Sequence, residues 1–174
     1  MMLQLTTSGA GAGETTIERT RQEELAEAYG THAPDAVRLA FLLTGDGELA
    51  RDLVQDAFVR VAARWPRLND PEKFRAYLRR TVSNLAKNHF RRRAVERRHL
   101  AAEPVGEHVA EPADRDEVFE RLWTLPLRQR TAIVLRYYLD LSERETADTM
   151  GCSVAAVKSL SARAIQHLRR EVVQ

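Results

Sequence analysis

The sequence predicts an all-α protein built as two small helical domains joined by an acidic linker, and three observations carry that prediction. Composition is the first. Of 174 residues only 8 are glycine and 6 are proline, with aromatics at 6%, while alanine, leucine, arginine and glutamate abound; unbranched side chains lose little rotamer freedom on entering a helix. Apolar residues also recur at helical rather than alternating spacing. Finally, the punctuation is that of helices: "NDPEKF" places Asp70 as a cap ahead of Pro71, and "LSERETADTMG" places Ser142 and Glu145 as a capping box ahead of Gly151. Hydrophobic residues at 44% and charged ones at 30% suffice for one or two small domains, not for one large core with long extensions.

Residues 1–20 open with "MMLQLTTSGAGAGETT", which has neither a basic start nor a sustained apolar stretch. That segment reads as neither signal peptide nor membrane span, and its small polar residues predict a disordered tail. The first domain is expected over residues 21–99. In it "HAPDAVRLAFLLTGD" predicts a buried helix stopped near Gly45, followed by a second helix in "GELARDLVQDAFVRVAARW" that must end before Pro66. Leu49, Leu53, Ala57 and Val61, with Ala50, Val54, Phe58 and Trp65, form the apolar stripe of this second helix. Asp52, Gln55 and Asp56 are left facing outward.

A third helix is expected from Pro71 to about Arg93, on the order of 34 Å long at 1.5 Å per residue. Helical spacing puts Phe74, Leu78, Thr81, Val82, Leu85 and His89 on its inner arc and Arg75, Arg79, Ser83, Lys87 and Phe90 outside it. Residues 100–115 follow as the linker, rich in Glu and Asp and broken by Pro104, Gly106 and Pro112. The second domain, residues 116–174, is expected to hold a helix from about Leu127 to Leu139 and then a helix-turn-helix. Gly151 supplies its turn, Ser153 caps the last helix, and that helix runs from Val154 to about Arg170 on a packing face of Val157, Leu160, Ala164, Ile165 and Leu168.

Charge is distributed with more meaning than its sum of +2 conveys. From Arg75 to Arg98 basic residues meet only one acid, Glu96; from Glu103 to Glu117 acids meet only Arg115. The basic stretch carries Asn84, Lys87, Asn88, Phe90 and Arg91, and an aromatic among cations has two readings. Phe90 packs under a neighbouring element, or it is a stacking platform for unpaired bases, with Asn84 and Asn88 as amides able to read them. The final helix carries Lys158, Arg163, Arg169 and Arg170 with no acid before Arg170, and Lys158, Ser159, Ala162 and Arg163 lie off its packing face where recognition helices meet base edges. A glycine-turned helix pair without nucleic acid is the plain alternative. Cys152 is the sole cysteine, so neither an intramolecular disulfide nor a cysteine-based metal site is available, which suits a reducing cytoplasm.

Three segments in order, "LLTGDGELARDLVQDAFVRVAARW", "FRAYLRRTVSNLAKNHFRRR" and "LPLRQRTAIVLRYYLDLSERETADTMGCSVAAVKS", resemble the extracytoplasmic-function (ECF) sigma factors of bacterial RNA polymerase, most closely the actinobacterial SigE-like group. The resemblance implies a non-enzymatic, cofactor-free promoter-specificity subunit whose partners are core RNA polymerase, promoter DNA and an anti-sigma factor. Asp52, Gln55 and Asp56 would match the surface that docks on the polymerase clamp. Asn69 and Asp70 would match the loop that captures a base flipped from the melted minus-ten element, and Asn84, Lys87, Asn88 and Arg91 the adjoining surface. Ser153, Lys158, Ser159, Ala162 and Arg163 would read the minus-thirty-five element as duplex. Asn88 stands where the family often has aspartate, and "KSLSARA" replaces the commoner "KSRLSRA", so no promoter sequence carries over. The acidic linker is either an imitation of RNA phosphates in the exit path or a soluble tether. Two rivals remain on the residues alone: a polymerase-independent helix-turn-helix regulator, and a metal-dependent nuclease using Asp52, Asp56 and a histidine, against which no paired metal-ligand spacing is found.

Overall fold

The computed structural model describes residues 10–64, 70–99 and 117–172, and every regular element among them is helical. The first three helices are α1 (Ala10–Thr44), α2 (Gly47–Ala62) and α3 (Pro71–His99); α4 (Glu117–Thr124), α5 (Leu127–Ile133), α6 (Glu143–Met150) and α7 (Val154–Val172) follow. A π-helical turn, Val134–Tyr138, continues α5. The expected linker, Trp65, Asn69 and residues 1–9 lie outside the described residues.

The expectation of a disordered tail through residue 20 is corrected by α1, which is already helical at Ala10. Once its second half is anchored, each further residue adds a hydrogen bond at little cost, and the stretch from Ile17 to Ala28 consists largely of strong helix formers. Pro34 sits inside α1 and removes one amide donor, offset by burial of Ala33 and Ala36 on either side. The helix stops at Gly45 as expected: φ there is +75°, which glycine alone adopts without strain. Asp46 then caps α2 by accepting from the amides of Glu48 at 2.9 Å and Leu49 at 3.1 Å.

Leu53, Val54, Ala57, Phe58 and Val61 of α2 are buried against Leu39, Ala40 and Leu43 of α1 and against Phe74, Leu78, Val82 and Leu85 of α3. The α3 start is as expected, with Asp70 accepting from the Glu72 amide at 3.0 Å. Its end is not: α3 continues to His99 instead of stopping near Arg93, because Ala94, Val95 and Glu96 offer no break. Ser83 is likewise a correction, being 7% exposed rather than outward.

The cause lies in the second helical unit, which packs on the first through one continuous core containing Leu122, Leu125, Val134, Leu135, Leu141 and Ala164. Arg130 is the key joint. It is 6% exposed, and its guanidinium donates to the Leu43 carbonyl of α1 at 2.6 Å and to the Trp123 and Leu125 carbonyls at 2.8 and 3.1 Å. Beside it the Trp123 ring lies so close to Gly45 that a Cβ there would sit 3.2 Å from the indole, while Phe41 meets the same indole edge-on at 5.3 Å.

The single helix expected over Leu127–Leu139 is replaced by α5 and the π turn, marked by the Leu139 amide bonding the Val134 carbonyl at 3.0 Å. Within α6 the Thr146 side chain is fully buried, and its hydroxyl finds no hydrogen-bond partner among the described residues. A Thr146→Val variant keeps the shape and removes the desolvated hydroxyl, so it is expected to be stabilising by about 1 kcal/mol, read as a raised urea midpoint; a lowered midpoint would show that the hydroxyl is satisfied in solution.

Candidate nucleic-acid interface

Three exposed faces result from this packing. On α2 the buried stripe turns Asp52, Gln55 and Asp56 to solvent one helical turn apart, as the sequence implied. Val59 continues that face and is 70% exposed. The sequence reading passed over it; the available signal was a branched apolar residue three positions after Asp56, off the packing stripe.

On α3, Arg80, Asn84, Lys87, Asn88 and Arg91 fall at i, i+4, i+7, i+8 and i+11, which is one stripe of a helix. Arg80, Asn84, Lys87 and Arg91 are exposed and Asn88 is half-buried. Phe90 is half-buried as well, with its ring 5.6 Å from that of His89 in an edge contact, so it is neither an isolated platform nor a core residue. Burial, and next the Arg93 charge, hold the His89 imidazole below its ordinary pKa, so at neutral pH it adds no charge to the face. At the head of the helix Asp70 pairs with Lys73 at 3.5 Å, and its hydrogen bond from the Glu72 amide lowers its pKa most. One carboxylate oxygen of Asp70 thus caps α3, and Asn69, expected beside it, is outside the described residues.

The third face is the helix-turn-helix. Ser142 and Glu145 satisfy each other's amides at 3.1 and 2.8 Å, and hydrogen bonding from Ser142, by its side chain first and its amide second, lowers the Glu145 pKa. Gly151 takes φ +62° and Ser153 accepts from the Ala156 amide at 3.2 Å. Ser153, Lys158, Ala162 and Arg163 are exposed and Ser159 is half-buried. Arg163 is held by a 2.8 Å hydrogen bond to the Ser159 hydroxyl, and Lys158 pairs with Glu143 of α6 at 3.4 Å. Val154, exposed at the first turn of α7, adds an apolar tip that the sequence reading left out. Among the described residues no group of three or more His, Cys, Asp or Glu is arranged to hold a metal, and no helix is long and apolar enough to cross a membrane.

The family model for sigma-70 region 2 matches residues 28–96, and that for sigma-70 region 4 matches residues 115–168. The RNA polymerase sigma-E factor of Streptomyces coelicolor is 34% identical over 89% of this chain and 83% of its own length. The chain belongs to the ECF sigma factors.

Among other relatives of this sigma factor, the ECF sigma factor SigE of Mycolicibacterium smegmatis is 28% identical over 93% of the chain and 66% of its own length. Two solved structures share the fold. CnrH, in complex with the cytosolic domain of CnrY, is 26% identical with a TM-score of 0.62 over 87% of this chain and 88% of that one. RpoE in complex with the anti-sigma factor NepR from Bartonella quintana is 24% identical with a TM-score of 0.68 over 85% of this chain and 96% of that one. As a sigma factor the protein binds core RNA polymerase and directs promoter-specific transcription initiation. The region 2 match takes in the latter part of α1, all of α2 and most of α3, and the region 4 match takes in α4 to α6 and most of α7.

Proposed function

We propose that this sigma factor divides promoter recognition between unlike forms of DNA: the α3 face engages the opened minus-ten element and α7 reads the minus-thirty-five element as closed duplex. The observation that carries this reading is the pairing, in one chain, of a basic α3 stripe bearing exposed Asn84 with a capped helix-turn-helix whose Lys158, Ala162 and Arg163 are exposed. A basic stripe with amides and an adjacent aromatic suits splayed bases, whereas a short helix with an arginine held away from its packing face suits the major groove. Asn69 and Asp70 are assigned to the flipped base, Asn84, Lys87, Asn88, Phe90 and Arg91 to the strand beside it, and Ser153, Lys158, Ser159, Ala162 and Arg163 to the upstream element. Flipping a base costs a few kcal/mol of stacking, which a fitted pocket offsets. The chain performs no chemistry of its own in this reading; nucleotidyl transfer belongs to the polymerase.

The domains are taken as residues 21–99 and 116–174 about a linker at 100–115, in a cytoplasmic protein. An anti-sigma factor is proposed as a partner because one solved protein of the same fold is held by such a factor. Run-off transcription with purified core polymerase on a promoter library tests the division of labour, since it reads activity and address together. Initiation no better than core alone on every template would overturn it.

Docking on core is assigned to Asp52, Gln55 and Asp56. Asp56→Ala is expected to weaken core binding roughly tenfold while leaving binding to upstream duplex unchanged; unaltered core affinity in a direct titration would move the docking surface elsewhere.

A further inference from the structure

On the outward face of α7 the charged side chains are already engaged within the protein, and the carbon-only side chains are not. Lys158 pairs with Glu143 of α6 at 3.4 Å, and Arg163 donates to the Ser159 hydroxyl at 2.8 Å. Between and beside them Val154, Ala155 and Ala162 are exposed, and their side chains hold only carbon. Val157 and Ala164 are fully buried on the opposite side of the helix, which fixes this face outward. Ala155 and Ala162, seven residues apart, stand in line on it, and Val154 flanks Ala155 at 37% exposure.

A solvated surface tolerates single apolar residues. Here three gather on the face that the cap presents: Ser153 accepts from the Ala156 amide at 3.2 Å, so the helix begins at Val154 with its first turn foremost. Val154 is β-branched and stiff, and it loses little freedom on contact. Hydrogen-bonding groups mark every base pair in the major groove, but only thymine adds an apolar projection there, its C5-methyl group.

We propose that Val154, Ala155 and Ala162 form a methyl-reading surface through which α7 selects thymine at two places in the upstream element, one under Val154 and Ala155 and the other under Ala162. The inference deepens, and rests on, the assignment of α7 to the upstream duplex made under Proposed function. From Ala155 to Ala162 the helix rises about 11 Å, against about 3.4 Å per base pair, so the two thymines lie about three base pairs apart. Covering one methyl strengthens binding about fourfold. Arg163 tells bases apart by donating hydrogen bonds, whereas this surface tells thymine from uracil, which offer the same hydrogen bonds and differ in the methyl alone.

The test is direct titration of the holoenzyme with the template that it uses best in the run-off library, each thymine of the upstream element being replaced in turn by deoxyuridine. Every swap deletes one methyl and keeps the base pair. For the parent protein, binding about fourfold weaker is expected at two positions about three base pairs apart. In Val154→Ala the thymine-to-uracil ratio is expected to fall toward one at the first position only, and in Ala162→Gly at the second only. Each ratio is taken within one protein preparation, so partial unfolding of a variant cancels. Uracil bound as well as thymine at every upstream position, or a best template without thymine there, overturns the proposal. So do ratios unchanged in both variants, because the methyls would then act through the shape of the DNA rather than on α7. A holoenzyme indifferent to every upstream base change overturns the α7 assignment itself, and this inference falls with it; discrimination among bases without discrimination between thymine and uracil overturns the inference alone.

Discussion

Arg130→Ala is expected to lower folding stability by about 3–5 kcal/mol, a large share of what a chain of this size possesses. The guanidinium is almost wholly buried and serves the carbonyls of Leu43, Trp123 and Leu125. Leu43 belongs to the last turn of α1 and Trp123 to the last turn of α4, where carbonyls have no partner within their own helix, and Leu125 follows just past α4. Removing the side chain strands those acceptors away from water, at about 1–3 kcal/mol each before relaxation, and opens a cavity. It also withdraws a cation from the negative ends of both helices. Lysine restores the charge but not the planar fork that reaches separate acceptors, so Arg130→Lys should recover only part of the loss. Urea unfolding of the two variants measures this. A midpoint for Arg130→Ala equal to that of the parent would mean that water or a neighbour takes over all of these bonds.

The second large effect concerns address rather than stability. Arg163→Ala is expected to lower discrimination at the upstream element by about 1–3 kcal/mol, the value of one well-placed side chain on a base pair. The structure gives a reason for choosing Arg163 over Lys158. Arg163 is exposed and steadied by the Ser159 hydroxyl, so little conformational freedom remains to be lost on binding, whereas Lys158 is paired with Glu143 and must first break that contact. Holoenzyme binding to a panel of single-base upstream variants separates base reading from mere attraction. A uniform loss across the panel would assign Arg163 to the phosphate backbone.

Local signals in the sequence proved reliable where the forces are local. The Ser142–Glu145 box, the glycine at position 151 and the Asp70 cap each depend on atoms within a few residues, and each has the expected geometry. The α2 stripe was legible for the same reason, since a helix that buries Leu53 and Ala57 must expose Asp52 and Asp56. What escaped depends on distant partners. Nothing near Ser83 in the chain indicates that a second helical unit covers it, and the bond from Arg130 to Leu43 joins residues 87 apart. The π turn escaped because periodicity over Leu127–Leu139 cannot register one extra residue in a turn. Phe90 shows the same boundary from within the site, where the sequence left packing and stacking open and the fold leaves the ring half-buried against His89.

The seating of Trp123 on Gly45 and Phe41 equips the molecule with an optical gauge of its own conformation. Only two tryptophans are present, so replacing Trp65 with phenylalanine leaves a single indole at the seam. Its emission shifts to longer wavelength, and iodide quenches it more readily, whenever that ring passes from aromatic surroundings into water, which lets the seam be watched in real time without a dye.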